Sequence, residues 1–175
     1  RHEVTHIFAV PLLWHTIEKK KNKNAEQQGK LEKLNKGIKL CTKIQNMFPY
    51  FGTKLAKKIM SDVTEQVFGQ SVQFLISGGS AIKKSTLELF NGIGYALHNG
   101  YGMSEIGIAS VELRDRPRDR NLASIGLPFE SAEYKIDENG VLYVKGETVC
   151  TRRITGGEEL VTDGWFKTGD IVERD

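Results

Sequence analysis

The chain has 175 residues, with 25 Lys+Arg against 22 Asp+Glu for a formal net charge of +3, and 39% of it is apolar. That share supports a packed core and excludes an intrinsically disordered chain. No run of about 18 apolar residues is present that would cross a membrane, and no basic-then-apolar leader opens the chain.

Residues 7–17 read Ile-Phe-Ala-Val-Pro-Leu-Leu-Trp-His-Thr-Ile. A short strand is predicted up to Val10, then a helix from Pro11, where the missing N–H costs nothing, to about Lys20. Lys19 to Lys30 is rich in Lys, Asn, Gln and Gly and predicts a mobile loop or loose helix end. Leu31, Leu34, Ile38, Cys41 and Phe48 form one helical stripe. Phe48 to Gly52 breaks it. Leu55, Ile59, Val63 and Val67 at spacing four predict a second helix, stopped by Gly69.

Val72 to Ile76 is an apolar run of strand length, followed by Ser77-Gly78-Gly79-Ser80. Lys83 to Asn91 reads as a helix with Leu87 and Phe90 facing inward, and Tyr95 to His98 as a second short strand. This is a βαβ unit with two parallel strands. A loop from Asn99 to Gly107 follows. The charged run Arg114 to Arg120 reads as a connector between subdomains. Beyond it, Asp137 to Gly140 joins two alternating stretches as a hairpin, and Asp163-Gly164 makes a second turn. The expected organisation is α/β over residues 1–120, with a Lys-rich helical insertion near 19–70, then a β-rich subdomain over 121–175.

Residues 1–60 hold 13 Lys+Arg and 4 Asp+Glu, and residues 61–175 hold 12 and 18. The basic excess is either a solvated helical face or a surface for an anionic partner. The Phe48 to Phe51 aromatics with flanking lysines also admit contact with a membrane surface. Cys41 and Cys150 form no CxxC, and His2, His6, His15 and His98 form no metal pair, each reading as a surface or half-buried residue. A disulfide framework is excluded, and a reducing, cytoplasmic location, peripheral to a membrane where that surface is used, is expected.

Two glycine-rich turns follow the carboxyl ends of two strands, the edge where open α/β sheets bind ligands. In the second, Ser104 and Glu105 stand side by side. A hydroxyl and a carboxylate suit a Mg²⁺–phosphate group; equally, they suit a capping Ser and a Glu in a first helical turn. Tyr101 offers a flat face to a base. Three rival motifs fail. Gly102-Met103-Ser104-Glu105-Ile106 lacks the last glycine of a nucleophile elbow, no Walker A run exists, and Gly92-Ile93-Gly94 lacks the third glycine of a dinucleotide turn.

The segments Ser77-Gly-Gly-Ser-Ala-Ile82, Asn99-Gly-Tyr-Gly-Met-Ser-Glu105, Ser124-Ile-Gly-Leu-Pro128, Gly140-Val-Leu-Tyr-Val-Lys-Gly146 and Trp165-Phe-Lys-Thr-Gly-Asp170 come in an order that resembles the adenylate-forming, or AMP-binding, superfamily. Phe8 to Ile17 and the Lys-rich insertion resemble its long-chain fatty acyl-CoA synthetase branch. The resemblance implies part of the large N-terminal domain of such an enzyme, which joins a carboxylate to ATP with Mg²⁺ and passes the acyl group to CoA. It places Gly79, Ser80 and Ala81 at the adenine pocket and Asn99 and Gly100 near the adenine edge. Tyr101 then lies on the base, with Gly102 and Met103 alongside. Ser104 meets the α-phosphate, Glu105 the Mg²⁺ ion, and Asp170 both ribose hydroxyls. Ser104 and Glu105 are thus the residues expected to act at the reacting phosphate.

The sequence departs from that pattern at Val141, where relatives carry Glu, and at Thr151-Arg152-Arg153-Ile154. It holds neither the Ser/Thr/Gly-rich phosphate loop nor the lysine-bearing C-terminal domain, and it opens on Arg1. An interior fragment, inactive by itself, is therefore expected. The expected partners are a carboxylic acid, ATP, and CoA or a carrier protein. Alternatives are an adenylation domain that loads a carrier protein, and a non-catalytic nucleotide-binding or interaction module. Without aromatic–basic interleaving or zinc-finger spacing, nucleic acid is not an expected partner.

Overall fold

The computed structural model describes residues 3–151 and 161–174, in two compact units: Arg1–Asn99 with Glu112–Ser124, and Gly100–Val111 with Ile125–Asp175. The Thr151 to Ile154 departure falls, but for Thr151, outside the described residues.

The first unit opens with β1 (His6–Ala9) and α1 (Pro11–Gln27), continues through α2 (Leu31–Met47), α3 (Pro49–Ile59) and α4 (Ser61–Glu65), and reaches β2 (Phe74–Ser77). Helix α5 (Lys84–Gly92) then crosses over to β3 (Ala96–Met103). Strands β1, β2 and the first half of β3 are parallel, with Phe74 opposite both His6 and Ala96. The predicted βαβ unit is present, extended by β1. Pro11 sits in the first turn of α1, as its fixed φ favours.

Of the two readings of the Lys-rich stretch, the helical one holds, to Gln27. Its Lys, Gln and Glu residues keep most of their rotamers in a helix, and Ala25 packs against the core. Two local expectations are corrected. The break at Phe48 is one residue long, because Pro49 starts α3 at once. The helix expected over Leu55 to Val67 is interrupted at Met60 (φ −100°, ψ 24°), while Gly69 takes the left-handed conformation expected of it.

The core of this unit is aromatic. Trp14, Phe90, Tyr95 and Leu97 are fully buried. Trp14 meets Phe90 edge-on at 5.5 Å and Phe68 at 6.0 Å. The buried Tyr95 hydroxyl donates toward Thr64 O (3.0 Å) and Gly69 O (2.8 Å), and burial pushes its pKa up to about 12. The charged run read as a connector between subdomains is partly packed. It contains α6 (Pro117–Arg120), and Arg120 is 2% exposed. Its Nε donates to Asn91 Oδ1 (2.8 Å) and its Nη1 to Arg114 O (3.1 Å) and Asp115 O (2.6 Å). Carbonyls and an amide thus hold Nε and Nη1 in the interior, while Nη2 is buried without a hydrogen-bond partner among the described residues.

In the second unit, the latter half of β3 pairs antiparallel with β4 (Gly107–Val111). Strands β5 (Ala132–Ile136), β6 (Val141–Gly146), β7 (Val161–Thr162) and β8 (Trp165–Ile171) form an antiparallel sheet in the order β5-β6-β8-β7. Both predicted turns are present. Asp163 (φ 51°) and Gly164 (φ 82°) give the doubly positive backbone that a two-residue hairpin needs. Ile106, Ala109, Leu142, Val144 and Phe166 form the core.

Candidate functional site

In the first unit, β2 ends with Ser77 opposite Asn99 of β3, the last pair of the parallel part. The turn after β2 therefore emerges at the carboxyl edge of two parallel strands. Gly78 N–H donates to Ala9 O (3.2 Å), which anchors the turn, and Gly79, Ser80 and Ala81 follow it, all three exposed. Gly79 has φ +90°, a conformation that L side chains rarely adopt. Asn99 is buried, and its amide nitrogen donates to Ala123 O (3.0 Å) and Ser124 O (3.1 Å). Both amide hydrogens therefore hold the 123–124 segment in place.

His98, one residue earlier, is also buried, against the expectation of a surface or half-buried residue. Its Nδ1 lies 2.6 Å from Glu112 O and its ring stacks on Phe74 at 4.3 Å. Because a carbonyl only accepts, Nδ1 carries the proton. Burial, above all, lowers its pKa to about 4, so it stays neutral near pH 7.

The second unit carries the other predicted residues. What the sequence reads as a loop from Asn99 is a strand: β3 runs unbroken through Gly100, Tyr101, Gly102 and Met103. The register shifts between Tyr101 and Gly102. A β carbon on Gly102 would lie 2.2 Å from Gly107 O, so β4 approaches too closely for any other residue. Ser104, Glu105 and Ile106 make the turn. Ile106 is fully buried beneath it, and Thr148 Oγ1 donates to Ile106 O (2.8 Å), Cys150 N–H to Glu105 O (2.6 Å). The turn tip is thereby pinned from below, with Ser104 exposed and Glu105 half-buried. No helix begins there, so the capping reading falls away.

Asp170 lies on β8. Between Tyr143 opposite Lys167 and Val141 opposite Ile171, β8 spends two more residues than β6, and the surplus bulges around Gly169 (φ +83°). Asp170 N–H donates to Thr168 Oγ1 (3.1 Å), whose own hydroxyl donates to Leu142 O (2.8 Å). The Tyr101 hydroxyl donates to Asp170 Oδ2 at 2.5 Å. Burial first, and then that carboxylate, hold the Tyr101 phenol well above its ordinary pKa. The Tyr101 ring also meets Tyr134 edge-on at 6.5 Å. Tyr134 donates to Ser110 Oγ (2.7 Å), and Ser110 donates to Ile125 O (2.6 Å). Two residues singled out in sequence, 69 positions apart, are in direct contact, with Ser104 and Glu105 at the tip of the same hairpin. Thr168, Ser110 and Thr148, which hold this arrangement, carry no chemical signature in sequence.

Among the described residues, no group of three His, Cys, Asp or Glu could hold a metal by itself. The Ser104 hydroxyl and Glu105 carboxylate are hard oxygen donors suited to Mg²⁺, an ion that commonly completes its shell with phosphate and water.

Comparison with known proteins gives a consistent answer. The family described as AMP-binding enzyme matches residues 1–153. The chain is 30% identical over 126 residues to a putative fatty-acid–CoA ligase of Mycobacterium tuberculosis, which covers 70% of this chain and 22% of that relative. It is 25% identical over 200 residues to the mitochondrial malonate–CoA ligase of Bos taurus, covering 94% of this chain and 32% of the relative. Among solved structures, the o-succinylbenzoate CoA synthetase of Bacillus subtilis in complex with its acyl-adenylate intermediate OSB-AMP matches with a TM-score of 0.52 and 26% identity. That match covers 65% of this chain and 26% of the other. The same enzyme has been solved in complex with ATP and magnesium ion, matching with a TM-score of 0.50 and 25% identity. The chain thus spans roughly a fifth to a third of the length of these relatives.

Proposed function

Because this chain belongs to the AMP-binding enzyme family, we propose that it supplies the mononucleotide-holding part of an acyl-activating ligase that works on a fatty carboxylate, ATP and CoA. The observation that carries the reading is the Tyr101–Asp170 contact, on the hairpin that also presents Ser104 and Glu105. In this reading the Asp170 carboxylate accepts both ribose hydroxyls, and Tyr101 lies against the base while its hydroxyl orients Asp170. The Gly79 to Ala81 turn and the Asn99–Gly100 backbone border the adenine. Gly102 and Met103 line the path to the phosphates, and the Ser104 hydroxyl donates to the α-phosphate.

A carboxylate oxygen of the substrate attacks the α-phosphorus. The bond to the departing pyrophosphate breaks, giving an acyl-adenylate. A thiol sulfur then attacks the acyl carbon and AMP leaves. Mg²⁺ held by Glu105 would neutralise the charge that builds on the phosphate oxygens. None of these residues needs to become covalently attached, in keeping with the failed nucleophile-elbow motif.

The test is carboxylate-dependent ATP–pyrophosphate exchange by the full-length protein. Asp170→Ala removes two charge-assisted hydrogen bonds, about 3 kcal/mol together, so kcat/KM for ATP is expected to fall roughly 100-fold. Exchange that Asp170→Ala leaves intact, or no exchange with any fatty, aryl or amino acid, refutes the reading. CoA and a phosphopantetheine-loaded carrier protein, offered in parallel, separate the two acceptors. The 175-residue chain alone is expected to show no turnover.

A further inference from the structure

Helix α3 packs in an inverted way. Its buried residues are Gly52 and Ala56, while Tyr50 and Phe51 are 78% and 67% exposed. The cause is how close α2 lies: a β carbon on Gly52 would come within 2.7 Å of Gln45 Cα. Only small residues fit that contact, so the large ones turn outward. Met47 and Phe48, at the end of α2, are 59% and 57% exposed. Four large apolar or aromatic side chains are thus clustered at one corner of the first unit, where a folded protein normally scatters them singly.

The two helices at the corner are strongly basic, although Glu65 and Asp115 line the same cleft as Tyr50, Lys54 and Lys58. Helices α2 and α3 carry Lys33, Lys36, Lys39, Lys43, Lys54, Lys57 and Lys58 against Glu32 alone. Glu32 is taken by Lys36 (2.6 Å), and Lys57 donates to Gln70 O and Val72 O. Lys54 lies beside Tyr50, with Nζ 3.0 Å from the hydroxyl and 4.4 Å from the ring centre. Exposed Lys54 and Lys58 line one cleft with Tyr50, and their long stems can reach along an apolar surface.

We propose that this α2–α3 corner docks on the surface of an anionic bilayer, with Phe48, Tyr50 and Phe51 at the headgroup–acyl boundary and Lys54 and Lys58 on the phosphates. Aromatic rings with a polar rim favour that boundary, and lysines add attraction that acts within a Debye length. Protein partners are a poorer fit: interface cores are depleted in lysine, and the two helices set only Glu32 against seven ammonium groups. The surface is independent of the nucleotide residues. An adenylating enzyme that ignores vesicles therefore refutes this inference alone, and a vesicle-binding protein without exchange activity refutes only the ligase reading.

The experiment is co-sedimentation of the full-length protein with vesicles of phosphatidylcholine, alone or mixed with phosphatidylserine. Binding to the mixed vesicles only, weakened by salt, is expected. Phe48→Ser with Phe51→Ser, and separately Lys54→Glu with Lys58→Glu, are each expected to weaken it about tenfold or more. Leu12→Ser is the control: Leu12 is 72% exposed, but residues 7–17 hold no lysine or arginine, and binding should not change. Phe51→Trp should add emission that shifts to the blue when mixed vesicles are added. The inference is overturned by absent binding, by binding that both double variants leave intact, or by added emission in the Phe51→Trp protein that is already blue-shifted without vesicles. Dimerisation that the Phe variants abolish, without vesicle binding, overturns it in favour of a second copy of the chain.

Discussion

Replacing Gly102 by Ala tests whether the hairpin that carries Tyr101 depends on the close approach of β4. The added β carbon would lie 2.2 Å from Gly107 O, 2.9 Å from Ile108 Cα and 3.0 Å from Gly107 C. All three are backbone atoms, so no side chain can swing aside. Relief requires β4 to withdraw by about 1 Å, which breaks the Gly102–Ile108 and Met103–Gly107 pairing. Two backbone hydrogen bonds at roughly 1 kcal/mol each, with strain added, give a loss of about 2–4 kcal/mol. In a chain of this size that is about 5–15 °C in Tm. Gly29→Ala is the comparison, because Gly29 also has a positive φ (+64°) but nothing within 4 Å; its cost is conformational only, about 1 kcal/mol. Urea unfolding followed by circular dichroism measures both, and amide exchange at residues 100–111 locates the damage. A Gly102→Ala protein no less stable than Gly29→Ala, with unchanged exchange in the hairpin, would show that β4 yields freely and that the steric reasoning is wrong.

Three further outcomes follow from the same geometry. Tyr101→Phe keeps the ring face but removes the hydroxyl on Asp170; KM for ATP should rise about 3–10-fold with KM for the carboxylic acid unchanged, and a rise in both would tie the hydroxyl to general folding instead. Arg120→Met removes the donor to the Arg114 and Asp115 carbonyls, while Asn91 Oδ1 keeps the Leu97 N–H (3.1 Å). A loss of about 3 kcal/mol in urea unfolding is expected, and Arg120→Lys should not restore it, since one ammonium cannot reproduce the fork. His98 has a folded pKa of about 4 against 6.5 ordinarily, so below pH 6.5 the unfolded chain binds a proton that the folded one refuses. Stability is therefore full above about pH 6.5 and falls by roughly 3 kcal/mol as pH drops to about 4; His98→Gln should flatten this slope, and an unaltered slope would place the titrating group elsewhere.

The sequence is most readable where local and long-range forces agree. Pro11 opens its helix, Leu87 and Phe90 face the core, and Asp163-Gly164 turns the chain, each for a reason contained in a few neighbouring residues. It misleads where a distant partner decides. Asn99 to Met103, rich in glycine, reads as a loop, yet β4 supplies the hydrogen bonds that make it a strand. Arg114 to Arg120 reads only as a charged connector, and the burial of Arg120 depends on Asn91, some thirty residues earlier, as its acceptor. The Lys-rich segment leaves loop and loose helix end both open on composition, and its residue types tolerate the helix it forms. At the candidate site, the motifs mark Tyr101, Ser104, Glu105 and Asp170. The supports Thr148 and Thr168 are ordinary threonines whose value arises only from the carbonyls they reach.

The way Asp170 is presented explains why its neighbours matter. A carboxylate on a regular strand alternates with its neighbours between the two faces of the sheet, and its reach is fixed by the pleat. The bulge at Thr168 to Asp170 frees it from that alternation, at the cost of ladder pairing and a freer backbone. Thr168 restores part of the lost order by tying the bulge to Leu142 O and to Asp170 N–H, and Tyr101 fixes one carboxylate oxygen. Oδ1 has no comparable tie to Tyr101. In the proposed reading, a diol arriving at Asp170 therefore meets a carboxylate already oriented, with one oxygen shared and the other to be satisfied by the ligand. Orientation established before binding reduces the ordering cost that the ligand would otherwise bear, and a carboxylate on two tethered strands is better suited to that than one on an untethered loop.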